Sequence, residues 1–92
     1  MTLRYTARAL GHLEDIRSYL LERNPEAASQ VLGRIGAAVA LLREFPYLGH
    51  ETAVPGARVI IAAGLPYLVV YGMKGDEIII LGVFHAAQDK KP

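Results

Sequence analysis

The sequence predicts an α+β domain of order β-α-α-β-β-β, an antiparallel sheet with an αα-hairpin packed on one face. Three observations predict it. Two stretches in the first half repeat apolar residues every three to four positions, the period of an amphipathic helix. Between them stands Asn24-Pro25-Glu26, a helix-restart signal with a cap, a proline for the first helical position and an acid for the first turn. The second half carries three apolar runs, rich in β-branched and aromatic residues and separated by turns containing glycine or proline, which read as strands.

Met1 to Tyr5 alternates briefly, with Leu3 and Tyr5 on one face of a short strand. Thr6 caps a helix expected over Ala7–Glu22, whose stripe is Leu10, Leu13, Ile16 and Leu20. The second helix is expected over Pro25–Glu44, with Ala28, Val31, Ile35, Val39 and Leu42 as its stripe and Leu32, Ala38 and Leu41 widening it. Gly33 and Gly36 each cost about 1 kcal/mol relative to alanine there, so a close approach of another backbone is expected at that turn. Phe45-Pro46 ends the helix, because the residue before proline is driven out of helical geometry. Tyr47–Gly56 reads as a loop, with His50 as a surface-loop histidine. A strand over Ala57–Ala62, a turn at Gly64, and a hairpin of Pro66–Tyr71 and Glu77–Phe84 around Lys74-Gly75-Asp76 follow. His85–Pro92 reads as a polar tail.

The 92 residues make one domain, and an apolar fraction of 52% against 21% charged places the chain among folded globular proteins. A net charge of +1 gives little long-range field and argues against direct nucleic-acid binding. The absence of cysteine removes disulfide and thiolate chemistry and fits a reducing compartment. The first residues contain no apolar core of signal-peptide type. Val59–Met73 is uncharged but is interrupted by Gly64 and Pro66, and is shorter than the roughly 20 residues of a spanning helix. A cytoplasmic protein that does not engage the membrane is the expectation.

Strict alternation along the last strand puts Ile79, Leu81 and Val83 on one face and Ile78, Ile80, Gly82 and Phe84 on the other. Two helices cover one face of such a sheet, and the second is usually polar. Here both are apolar. The patch Ile78, Ile80 and Phe84 therefore reads as uncovered surface of the kind that marks an interaction site. No phosphate-binding glycine loop, no HExxH pair and no placed nucleophile is present; Ser18 and Ser29 fall inside helices. No cofactor or metal is expected. The one polar pair with catalytic potential is Arg58 with His85, able in principle to stabilise and protonate a phosphodiester transition state.

The chain resembles the RelE/ParE superfamily of toxins from bacterial type II toxin–antitoxin pairs over nearly its whole length. The carrying residues are Tyr5-Thr6-Ala7-Arg8-Ala9 leading into Leu13-Glu14-Asp15-Ile16 and Tyr19, then Asn24-Pro25-Glu26-Ala27-Ala28. Leu42-Arg43-Glu44-Phe45-Pro46 with Gly49-His50 comes next, followed by Arg58, Pro66–Tyr71, and Ile80–His85 running into Asp89. The superfamily's β-α-α-β-β-β fold agrees with the order read from the residues.

The resemblance implies a toxin neutralised by a cognate ParD-like antitoxin, whose C-terminal segment orders as it binds. It places that contact on Arg58, Ile60, Ile78, Ile80 and Phe84. RelE-like members cut mRNA on the ribosome with a cluster of cations, whereas ParE-like members act on DNA gyrase. Here Gly82 and Gln88 stand where arginine is frequent, and Lys74, in a turn, is the one other cation between Arg58 and Gln88. The chain is thus read as ParE-like and non-enzymatic, inhibiting gyrase by protein–protein contact. The alternatives are a metal-independent endoribonuclease using Arg58 and His85, and an inactive toxin-fold protein that keeps its antitoxin contact.

Overall fold

A computed structural model describes residues 1–89. The elements are β1 (Thr2–Tyr5), α1 (Ala7–Arg23), α2 (Pro25–Leu41), β2 (His50–Glu51), β3 (Ala57–Ile61), β4 (Tyr67–Lys74), β5 (Glu77–His85) and α3 (Ala86–Asp89). The last part of the expected polar tail, from Lys90, lies outside the described residues. The five strands form one sheet in the order β1-β5-β4-β3-β2, so the β4–β5 hairpin is its middle. The sheet is mixed rather than wholly antiparallel. β1 runs parallel to β5, pairing Thr2 with Glu77 through Tyr5 with Ile80, which the long connection through both helices and the other strands permits.

Local chemistry sets the helix boundaries. The backbone N–H of Ala9 donates to Thr6 Oγ1 at 3.1 Å, and that of Ala27 donates to Asn24 Oδ1 at 3.3 Å, which caps both helices as the sequence predicts. α2 stops at Leu41, three residues before the expected end. The Leu42 N–H bonds back only as far as Val39 and the Glu44 N–H only to Leu41, a tightening of the chain before Pro46. The two-residue β4–β5 turn is closed by Gly75 at φ +59°, in the left-handed region that glycine enters without strain.

The core lies between the helices and one face of the sheet. Ala9, Ile35, Val39 and Leu42 meet Ile60, Val69, Tyr71, Ile78, Ile80 and Val83, with Leu3, Tyr5, Leu13 and Ile16 packed at its margin. Leu10, expected in the α1 stripe, is instead exposed, as is Leu41 of α2. The expected backbone approach at Gly33 and Gly36 is absent: a Cβ at either would find open space within 4 Å.

The inward and outward faces of β5 differ from strict alternation, because the strand carries a bulge. Val70 pairs with Gly82 and Tyr71 with Ile80, so Leu81 has no partner on β4. Ile78 and Ile80 point inward and are fully buried; beyond the bulge Val83 points inward and Phe84 outward. The outward face comprises Val59 and Ile61 of β3, Leu68 and Val70 of β4, and Ile79, Leu81 and Phe84 of β5. It is apolar and partly exposed, as expected of the second face, but of the expected patch it keeps Phe84 and not Ile78 or Ile80.

Candidate functional site

Of the five residues expected to meet an antitoxin, Ile60, Ile78 and Ile80 are 7%, 0% and 0% exposed, closed under the helices. Their assignment to an open face is corrected by the bulge in β5 and by the β3 register, which sets Ile60 opposite inward-facing Val69. Phe84 does lie outward. Arg58 points to the helix side, where its Nε–H donates to the Gly49 carbonyl at 3.0 Å and its Nη2 to the Tyr47 carbonyl at 3.4 Å. Its Nη1 lies 3.6 Å from the Glu51 carboxylate, and the guanidinium sits 5.3 Å from the centre of the Tyr47 ring. Arg58 is thus a clamp on the segment that follows Pro46.

That segment is held from beneath by Tyr71. Its hydroxyl donates to the Pro46 carbonyl at 2.8 Å and accepts from the Gly49 N–H at 2.9 Å. Gly49 lies so close to the sheet that a Cβ would stand 2.7 Å from the Val59 carbonyl and 2.8 Å from the Tyr71 ring, so only glycine fits without a shift. Tyr47 to His50 consequently forms a fixed wall, with Tyr47 and Leu48 outward and exposed.

Between this wall, the second half of α2 and β3 runs an apolar groove of about 730 Å³. Leu41 and Ala38 line it from α2, Leu48 and His50 from the wall, and Val59 and Ile61 from the sheet, with Arg34 at its rim. Ile61 is 65% exposed. β2 pairs only with Arg58 and Val59, so the edge of β3 at Ile60 and Ile61 is unpaired where the groove passes it. An exposed strand edge between two apolar walls is a template for an added strand or a docked amphipathic segment. Sequence patterning missed this groove because its residues come from a helix end, a loop and a strand edge, none of which is marked by periodicity.

The catalytic pair of the ribonuclease alternative is not assembled. Arg58 stands opposite Tyr71 and His85 opposite Tyr67, four residues further along β4 and two strands away from β3. With about 3.3 Å per residue and about 4.8 Å per strand, the two Cα atoms are roughly 16 Å apart. His85 is instead engaged with its neighbours: its Nδ1 accepts from the Ala87 N–H at 3.1 Å and its ring meets Tyr67 edge-on at 5.3 Å. Gly82 faces outward, as expected for the position where arginine is frequent. A Cβ there would lie 2.8 Å from the Phe84 ring and 3.2 Å from His12, so the place is filled by aromatic packing. Among the described residues no group of three or more His, Cys, Asp or Glu side chains could hold a metal.

Comparison with known proteins decides the family. Residues 3–90 match the model of the ParE toxin of the type II toxin–antitoxin system, parDE. The chain belongs to the ParE toxin family. A Sinorhizobium fredii protein (strain NBRC 101917 / NGR234) named "Putative toxin Y4kP" is 38% identical over 86 residues, covering 94% of this chain and 88% of that protein. A chain of the chromosomal ParDE TA system from P. aeruginosa has a TM-score of 0.84 and 27% identity, covering 92% of this chain and 95% of its own. The ParE-like branch read from Gly82 and the tail therefore stands. No described helix is long and apolar enough to cross a membrane.

Proposed function

We propose that this ParE-family toxin inhibits DNA gyrase by protein–protein contact in the cytoplasm, and that a ParD-like antitoxin neutralises it by laying its C-terminal segment along the β3 groove. The observation that carries the docking site is the unpaired edge at Ile60 and Ile61, flanked by Leu41, Leu48 and Ile61 side chains that the free chain leaves in water. Arg34 at the rim favours an acidic residue in the incoming segment. Phe84, with Leu81 and Ile79, belongs to the outward sheet face, which is a second apolar surface for a partner protein.

The gyrase reading rests on the family, and a non-enzymatic mode is supported by the roughly 16 Å between Arg58 and His85 and by the structural engagement of both. DNA supercoiling by purified gyrase should fall with added toxin; full activity at excess toxin refutes the target. Docking is tested separately with Ile61→Asp and Leu41→Asp. Burying one such side chain is worth about 1.5–3 kcal/mol, so each variant should lose at least tenfold in antitoxin affinity while its melting temperature stays within a few degrees. Unchanged affinity in both would remove the groove from the interface.

A further inference from the structure

We infer that the edge of β5 beneath α1 carries a binding pocket for a nucleobase, and that guanine is the base it fits. β1 ends opposite Ile80, so Leu81 to His85 form a sheet edge, which α1 covers. Thr6 Oγ1 donates to the Ile80 carbonyl at 3.0 Å, and further along the Val83 N–H donates to His12 Nδ1 at 3.1 Å. Beside this seam lies a cavity of about 690 Å³, within the range of small-molecule sites and distinct from the β3 groove.

Its walls are aromatic: His12 and Phe84 have ring centres 4.8 Å apart, Tyr67 and His85 meet edge-on, and Tyr19 closes the side. Its polar groups include both donors and acceptors. Because Nδ1 of each histidine accepts a backbone N–H, the ring proton of each is on Nε2. Tyr67 is 7% exposed, and its hydroxyl is not sealed from solvent: it makes no hydrogen bond to the described residues and opens toward the cavity it lines. Burial, and then the charge of an ionised Tyr19, raise its pKa, which keeps the phenol a donor. The Asp15 carboxylate makes no ion pair among the described residues.

This set discriminates between occupants. An arginine side chain offers donors only and would leave two imidazole N–H groups facing it. A phosphate alone would meet Asp15. Guanine carries two adjacent N–H donors for a carboxylate and, on another edge, O6 and N7 acceptors for N–H and O–H groups. Its ring suits the aromatic walls. The Arg8 guanidinium, 5.8 Å from the centre of the Phe84 ring and without an ion-pair partner among the described residues, stands where an attached phosphate could reach it.

The test is titration of the ¹⁵N-labelled full chain with guanosine, adenosine and cytidine monophosphates, followed by NMR. Saturable shifts at Asp15, Val83, Phe84 and His85 are expected with GMP, at least tenfold weaker with AMP and CMP. Asp15→Asn, on an exposed helix position, should keep the fold and lose at least tenfold in GMP affinity; Tyr67→Phe should lose severalfold. Equal shifts with all three nucleotides, no effect of Asp15→Asn, or tighter binding of an acetyl-arginine amide overturn the assignment. A guanine-containing single-stranded tetranucleotide identifies the source of the base. Tighter binding than GMP assigns the site to nucleic acid, and equal binding assigns it to free nucleotide.

Discussion

Replacing Tyr71 by phenylalanine removes one oxygen and should undo the wall of the docking groove. The hydroxyl links β4 to the Pro46–Gly49 backbone, beside the Arg58 clamp from β3, donating to one carbonyl and accepting from one N–H. The Gly49 N–H is buried, so leaving it unpaired costs about 1–3 kcal/mol, and the bond to the Pro46 carbonyl adds about 0.5–1.5 kcal/mol. A total near 3 kcal/mol lowers the melting temperature of a domain this size by roughly 12–24 °C. Loss of the link should also show as faster hydrogen exchange at Leu48–Glu51 than in the core of β4. Gly49→Ala acts on the same joint by collision with the Val59 carbonyl and Tyr71. The double variant should therefore cost clearly less than the sum of the two singles. A melting-temperature change below about 3 °C for Tyr71→Phe, or strict additivity in the double variant, would refute this account of the loop.

Gly33→Ala and Gly36→Ala should each stabilise the free chain by about 1 kcal/mol, because both sit in open space within α2; unchanged or lower melting temperatures contradict that. His12→Ala leaves the Val83 N–H without its partner and should cost about 1–2 kcal/mol in denaturant unfolding. Gly82→Arg should displace the Phe84 ring from His12, lowering stability without producing RNA cleavage in a translation extract. Stability should also depend on alkaline pH. Burial raises the pKa of Tyr5, so the folded state holds its proton when the unfolded chain has lost it. That contribution is fully present below the ordinary tyrosine range near 10 and is lost as pH rises through the raised value; Tyr5→Phe should flatten the stability curve between about pH 9 and 12.

Most of the fold was legible because it is written in local chemistry. Thr6 and Asn24-Pro25 announce their helices, and Gly75 marks the turn of the hairpin. The two-residue β2 was not legible: His50 and Glu51 have no periodicity of their own and form a strand only because Arg58 and Tyr71 hold the loop against β3. The same holds for the groove, whose walls are assembled from distant segments. Leu10 and Leu41 were misread for a different reason. Both fit the 3.6-residue period, but each helix contacts the sheet along a narrower stripe than its apolar content would allow.

On β5 the interaction face was misread through a single residue. Side-chain direction in a strand has period 2, so one unpaired residue reverses every position after it. Nothing in Ile78-Ile79-Ile80-Leu81-Gly82-Val83-Phe84 marks Leu81 as that residue, since every neighbour is apolar and both faces accept apolar side chains. The consequence is functional as well as geometric. Without the bulge Gly82 would share the inward face of Ile80, and Phe84 would lie under the helices. With it, both turn outward, and Phe84 packs against His12 across the sheet edge. Gly82, read from the sequence as standing where arginine is frequent, is also the gap that the Phe84 ring occupies. Restoring an arginine at Gly82 therefore requires moving Phe84 as well, and a double change, Gly82→Arg with Phe84→Ala, should be better tolerated than Gly82→Arg alone. If the double variant melts lower than Gly82→Arg by the full cost of Phe84→Ala, the two residues are independent and the packing argument fails.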